Sequence, residues 1–367
     1  MYQFSWYDLT PYMLVLAVLS LVMKGKGTVK NKARICFWLM FIFSAIRYGI
    51  GYDYYAYMKS ALHQVQDYAL ERFEPLSRLL VDIGYHTHYQ VFFIISSFLI
   101  LYPVYKCCIK LSINPVYSLV IFFMFPMFYL EGLSIVRNAI AYSFILYAYL
   151  LLTQKRLILS VLFVVMSVMF HKSALIGVLI YPLYYVQLNK KIHLILFVCS
   201  FLVSNLAQRV LSDYASIIPF LSSVEGYLEF GRQEGGTMTL IVNFLTIFHF
   251  FIWDKMVKFN SDNLKKLCCF NVGACLWNIM LPIDSTLALR LSTFFLMFLI
   301  FIVPQYKYIF SVRYRKLVGL MSYSFFVVLF LSYFLINISA YLKVPERMSN
   351  LPYQTIFFHK DYSNYLY

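Results

Sequence analysis

The sequence predicts an all-α integral membrane protein, a polytopic transmembrane bundle of about 12 spans. Two observations carry that prediction. The 367 residues are 62% hydrophobic and 20% aromatic but only 13% charged, roughly half the charged share of a soluble domain. A water-soluble fold has nowhere to bury 36 Phe and 33 Tyr, whereas a bilayer supplies an apolar solvent whose interfaces favour rings with a polar tip. The second observation is that clusters of Lys and Arg recur between alternate apolar runs, the pattern expected of cytoplasmic loops.

The spans follow in order at about 9–23, 35–51, 89–105, 115–131, 135–152, 157–171, 174–187, 192–211, 237–254, 266–282, 286–305 and 317–337. The first, Leu9 to Met23, has no basic residue before it and no small-residue cleavage site after it, and reads as a retained span rather than a signal peptide. Several runs fall short of the roughly 20 residues a perpendicular helix needs and are expected to be tilted, extended by aromatics, or broken. Basic clusters lie at Lys24–Arg34, Lys106–Lys110, Lys155–Arg156, Lys190–Lys191, Lys255–Lys266 and Lys307–Lys316. All six fall on one side only if residues 157–187 form two segments turning at Phe170-His171-Lys172-Ser173, with two half-membrane segments as one form of that pair. Both termini then lie outside, which is the periplasmic side if the membrane is a bacterial inner membrane.

That topology also explains the net charge of +15. Nineteen of the 31 basic residues fall inside with only Asp254 and Asp262, and the remaining acids fall outside. The excess charge is a topology signal and gives no support to nucleic-acid binding, which needs basic and aromatic residues on a soluble face. The longer outer segments, 52–88, 212–236 and the tail 338–367, are each too short for a core of their own. The chain is expected to be a single membrane domain over 1–367 that acts in or just above the bilayer. Its seven cysteines show no CxxC or Cys/His metal spacing. His86 and His88 form an H-x-H pair without further ligands, so no metal and no cofactor are expected.

Arg is concentrated on the outer side, where the positive-inside tendency should deplete it. Arg47, Arg137 and Arg290 stand inside or at the ends of spans, where ionisable groups are costly and usually functional. Each has an acid nearby: Asp53, Glu131 and Asp284. Arg forks suit phosphate or carboxylate, and pairing with the outer acids is the alternative reading. The richest cluster is Arg47-Tyr48-Gly49-Ile50-Gly51-Tyr52-Asp53-Tyr54-Tyr55-Ala56-Tyr57, in which two Gly let the chain leave a helix and four Tyr flank Asp53. Tyr faces can stack on sugars, and an interfacial aromatic belt is the competing explanation. Glu74-Pro75-Leu76-Ser77-Arg78 opens an amphipathic helix whose Leu76, Leu79, Leu80 and Ile83 share a membrane-facing stripe.

These residues resemble a known family. The stretch from Arg47 to Tyr54 looks like the R-x-G-x-G-x-D-Y signature of EpsG/Wzy-type polysaccharide (O-antigen) polymerases. Phe73-Glu74-Pro75-Leu76 is similar to their EP motif, Arg137-Asn138-Ala139-Ile140-Ala141 to R-Q-x-I-A with Asn for Gln, and Phe170-His171-Lys172-Ser173-Ala174 to F-H-x-S-A. Arg290-Leu291 and Pro352-Tyr353 resemble weaker later elements. The resemblance implies a multi-pass protein of the bacterial inner membrane. It would act at the periplasmic face as a glycosyltransferase of polysaccharide and lipopolysaccharide biosynthesis, moving a growing glycan from undecaprenyl diphosphate to a sugar hydroxyl of an incoming lipid-linked repeat unit. Membrane lipid and a chain-length regulator protein are the implied partners. Arg47, Arg137 and Arg290 would hold the diphosphate. Asp53, His171 or Glu74 would take the acceptor's proton, and Tyr52, Tyr54, Tyr55, Arg78, Lys172 and Arg232 would contact glycan. The rival readings are a lipid-linked oligosaccharide flippase or transporter, an O-antigen ligase and a membrane acyltransferase.

Overall fold

The computed structural model describes residues 6–66, 70–214, 236–343 and 350–359. Its helices run α1 (Thr10–Lys24), α2 (Val29–Ala45), α3 (Tyr54–Ala61), α4 (Pro75–His86), α5 (Tyr89–Leu111), α6 (Pro115–Met124), α7 (Val136–Thr153), α8 (Leu157–Phe170), α9 (Ile180–Tyr185), α10 (Lys190–Tyr214), α11 (Gly236–Phe259), α12 (Asn263–Met280), α13 (Ser285–Leu296) and α14 (Arg315–Lys343). A 3-10 segment, Lys172–Leu179, links α8 to α9. Among the described residues, six helical stretches are long and apolar enough to cross a membrane, including the 23-residue Tyr89–Leu111 and the 27-residue Val312–Ile338. The chain is therefore a helical, multi-pass membrane protein.

The helix ends follow local chemistry. Thr28 caps α2, its hydroxyl accepting from Asn31 N at 3.3 Å. Asn114 caps α6 from in front of Pro115, accepting from Tyr117 N at 3.1 Å. Proline at the first helical position costs nothing there, because that N–H has no partner inside the helix. The expected break inside 157–187 falls at His171, where extended backbone (φ −157°, ψ 124°) ends α8.

The chain packs as two compact units, residues 1–175 with 312–367 and residues 176–311. In the first, α6 is buried along its whole length and α7 nearly so. α8 docks on α7 through a narrow stripe, Ser160, Val164, Ser167 and Phe170. Ser160 donates to Ala148 O at 2.8 Å and Ser167 to Ala141 O at 2.7 Å, the small-residue, hydroxyl-bridged packing that brings helices together where hydrophobic attraction between them vanishes. The opposite face of α8, with Ile158 86% exposed and Val161, Leu162 and Val165 beside it, suits lipid.

The expected stripe on α4 is split. Ser77, Leu80, Val81 and Gly84 form its buried face, so Leu80 turns inward while Leu79 stays exposed. Gly84 is needed there, since a Cβ would lie 3.0 Å from the Ala61 Cβ of α3. In the second unit α10, α11 and α12 share buried amides: Asn271 Nδ2 donates to His193 O at 3.1 Å and Asn278 Nδ2 to Asn243 Oδ1 at 3.1 Å.

Candidate functional site

The site grows from a loop that glycine makes possible. Gly49 and Gly51 have φ of +66° and +104°, a region closed to most L-residues. Gly51 is constrained by space as well: a Cβ there would sit 2.2 Å from Leu133 O. The loop thus lies directly on the turn that starts α7, and Tyr52 N donates to Ser134 Oγ at 3.2 Å. Arg47 fastens the same junction from beneath. It is 1% exposed, and its guanidinium donates to Ser44 O at 2.7 Å, Ser97 Oγ at 3.4 Å and Leu133 O at 3.5 Å over the Phe93 ring.

The C-terminal segment closes the other side of the loop. Arg47 and Tyr48 pair antiparallel with Thr355 and Gln354. Ile356 N donates to Ile46 O at 3.0 Å, and the Tyr353 ring stacks on Phe43 at 4.0 Å. His359 stacks on Tyr48 at 3.8 Å.

Glu74 ties three chain segments together. It is 8% exposed at the head of α4. One carboxylate oxygen accepts from Arg137 Nη1 at 2.7 Å and the other from Lys172 N at 3.1 Å. Arg137 lies over the Phe73 ring, 4.7 Å from its centroid, and bonds to the Tyr57 hydroxyl. A quarter of its side chain stays exposed, so the cation is held firmly yet still reaches outward. Beside it, Ser173 Oγ lies 2.9 Å from Asn138 Oδ1 and 2.6 Å from His171 Nδ1, while Ser173 N donates to that same Nδ1 at 3.2 Å. Asp53 precedes α3 and is half-buried. Its carbonyl accepts from Tyr57 N at 3.0 Å, which puts it one helical turn from the tyrosine that meets Arg137.

The structure thus joins Glu74 to Arg137 directly and Asn138 to His171 through Ser173, and it sets Asp53 one turn before Tyr57. Lys172 contributes its backbone N–H to Glu74, and its side chain is exposed. Of the tyrosines, Tyr52 is 52% exposed whereas Tyr54 and Tyr55 are buried. Tyr54 stacks on Phe93 at 4.4 Å, so packing claims its face. Arg78 pairs with Asp82, Nε to Oδ1 at 3.1 Å, the acid-pairing alternative for that residue. Arg290 belongs to the second unit, half-buried on α13, whose first turn Asp284 caps by accepting from Leu287 N at 2.7 Å. Arg232 lies outside the described residues. Ser173, Phe73 and Tyr57 stand within their motifs in the sequence, which gives them no role of their own. Each neighbours a motif residue or falls one turn from it, and that spacing was the available signal.

A multi-pass helical protein with an Arg–Glu pair and a His–Ser–Asn cluster, drawn from chain segments far apart in sequence, defines a membrane protein with a polar cluster at the junction of its helices. The chain matches the EpsG family over residues 32–355, and it belongs to that family, whose membership points to a polysaccharide polymerase-type function. No curated protein and no solved structure matches it.

Proposed function

We propose that the chain polymerises polysaccharide repeat units of the O-antigen or exopolysaccharide type at the periplasmic face of the bacterial inner membrane. The observation that carries this reading is the Glu74 carboxylate gripping Arg137 and the Lys172 N–H at once. It fixes a partly exposed guanidinium, suited to a diphosphate by its planar fork, next to groups able to manage a proton. The donor is a growing glycan on undecaprenyl diphosphate, and the acceptor is a sugar hydroxyl of an incoming lipid-linked unit.

In the reaction the acceptor oxygen attacks the anomeric carbon. The bond from that carbon to the diphosphate oxygen breaks and its electron pair leaves with the diphosphate. The hydroxyl proton passes to a base, with Asp53 and His171 the candidates. Glu74 is the weaker candidate because both its oxygens already accept hydrogen bonds from Arg137 and Lys172. Arg137 stabilises the charge growing on the leaving group, and Arg290 is proposed as a second diphosphate cation. Arg47 is proposed to build the loop that carries Asp53, since its Nη1 and Nη2 already serve protein acceptors. Tyr52 and Arg232 are proposed to meet glycan.

The test is in vitro polymerisation with purified chain and the lipid-linked repeat unit isolated from cells lacking it. A ladder of products is expected from the native chain and none from Arg137→Ala. The absence of a ladder under every condition refutes the reading.

A further inference from the structure

We propose that Gln90 and Tyr353 are positioning residues of the site: reaching in from distant parts of the chain, they end α2 at Ala45 and so set where the glycine loop meets the start of α7. The inference rests on the polymerase reading and deepens it, because α7 carries Arg137 at its second position.

Nothing local stops α2. The residues after Ala45 are Ile46, Arg47 and Tyr48, with no Gly or Pro, the residues that most often stop a helix, before Gly49. Yet the backbone leaves the helix at Ile46 (φ −94°, ψ 2°) and runs extended through Arg47 and Tyr48. The last four carbonyls of a helix lack partners inside it, and here each has found a donor. Ile42 O accepts from Ile46 N at 3.1 Å and Phe43 O from the Tyr353 hydroxyl at 2.5 Å. Ser44 O accepts from Arg47 Nη1 at 2.7 Å and Ala45 O from Gln90 Nε2 at 2.6 Å. The row continues past the helix, where Ile46 O accepts from Ile356 N at 3.0 Å and Arg47 O from Gln90 Nε2 at 3.2 Å.

These donors are themselves held in place. Ala45 O and Arg47 O can only accept, so the Gln90 amide must turn its NH₂ to both, stapling the helix end to the strand beyond it. Gln90 is buried, and it is fixed in the first turn of α5, where its own N–H donates to His88 Nδ1 at 3.2 Å. Tyr353 lays its ring on Phe43 at 4.0 Å. Its segment is anchored three residues earlier by Asn350, whose carbonyl accepts from the Tyr12 hydroxyl at 2.6 Å and whose amide donates to the Tyr333 hydroxyl at 2.5 Å. The donors thus come from packed elements, and the end of α2 conforms to them.

An α2 deprived of these donors has a ready alternative: its carbonyls can accept from the N–H groups of the next turn, and the helix runs on toward Gly49. That would draw Arg47 Nη2 off Leu133 O, to which it donates at 3.5 Å, and lift Gly51 from the same carbonyl. It would also break the bond from Tyr52 N to Ser134 Oγ at 3.2 Å. Leu133 and Ser134 form the turn just before α7, so the displacement reaches Arg137. Gln90 and Tyr353 act through the loop and not on the substrate.

The test uses two variants of the purified full chain. Tyr353→Phe keeps the ring and removes only the hydroxyl, and Gln90→Met keeps the length and removes both donations. Each is measured for polymerisation of the isolated lipid-linked repeat unit, for thermal unfolding, and for amide hydrogen exchange by mass spectrometry. Misplacing a reacting group by about 1 Å costs about 100-fold, so kcat is expected to fall by about 10- to 100-fold. KM for the lipid-linked unit is expected to stay within about 3-fold, since the loss falls on the transition state. Exchange over residues 47–55 should quicken while exchange over α12, in the other unit, stays native. If Gln90→Met fails to fold, Tyr353→Phe carries the test. The proposal is overturned if a folded variant keeps a native rate or native exchange over residues 47–55, or if the loss falls on KM, which would put the residue on the substrate. It is also overturned if faster exchange and lower stability spread over the whole chain, which would make these residues supports of the fold alone. A native chain that makes no ladder removes the polymerase reading, whereas the exchange measurement still decides whether Gln90 and Tyr353 hold the loop.

Discussion

Replacing Glu74 with Gln keeps the shape of the side chain and removes its charge, which isolates what the carboxylate does for Arg137. In the native site one oxygen holds Arg137 Nη1 at 2.7 Å and the other holds Lys172 N at 3.1 Å. An amide has one acceptor and one donor end, so whichever way it turns, its NH₂ faces either a guanidinium or a backbone N–H. Breaking a buried pair costs about 3–5 kcal/mol. That range needs discounting because Arg137 remains a quarter exposed and water recovers part of its solvation. About 2–3 kcal/mol is the appropriate scale, or about 30- to 150-fold if it falls on the transition state. The assay is a double-mutant cycle of Glu74→Gln and Arg137→Gln, with polymerisation rate on the isolated lipid-linked unit and thermal unfolding of the purified protein as paired readouts. The expected coupling between the two positions in the rate is about 2–3 kcal/mol. If the two losses simply add, to within about 0.5 kcal/mol, Glu74 does not act through Arg137 and the proposed site is wrong at its centre.

Other outcomes follow from the same geometry. Arg47→Lys should lower thermal stability and activity together with an unchanged KM for the lipid-linked unit, since one ammonium cannot span Ser44 O, Ser97 Oγ and Leu133 O; a KM effect without loss of stability would instead place Arg47 on the diphosphate. Gly51→Ala should abolish polymerisation, because its Cβ would need the space of Leu133 O, while Gly236→Ala, with nothing within 4 Å of its Cβ, should be silent; equal activity of the two variants in cells would refute the docking of the loop on α7. For topology, single cysteines at Tyr52 and Lys26 in a cysteine-free background should label differently with a membrane-impermeant maleimide on spheroplasts, Tyr52→Cys reacting and Lys26→Cys not. The reverse pattern would invert the assignment of the basic loops.

The fold class was legible because it rests on bulk properties. A chain with so few charges and so many Phe and Tyr has one solvent available to it, and α6 and α7 read as apolar runs because they pack as such. The break at His171 was legible from the alternation of Lys clusters, with no local helix-breaking residue to announce it. The site residues were legible as types and not as roles. Arg47 and Arg137 look alike in sequence, each a cation beside a span, yet one is enclosed by backbone carbonyls and the other is held half-open by a carboxylate 63 positions earlier. Tyr52 and Tyr54 are two residues apart and differ completely in exposure, because α3 begins between them and turns Tyr54 onto Phe93. No periodicity read along a short loop supplies that turn.

The same contrast explains why the site is assembled as it is. On the proposed reading, a guanidinium that binds and releases a diphosphate many times cannot be buried like Arg47, whose Nη1 and Nη2 already serve protein acceptors, nor left loose on a long side chain that loses entropy with each encounter. Arg137 sits between these limits. Glu74 and the Tyr57 hydroxyl fix its position and Phe73 covers one face, so that in the proposed reaction the cation meets substrate already oriented. The carboxylate is itself fixed by the N–H of Lys172, and that N–H is aimed by the chain break at His171. Position therefore passes from the end of α8, through Glu74, to the cation on α7. A lesion at the break, such as Ser173→Pro, which removes the N–H that His171 accepts, should impair Arg137 without touching it.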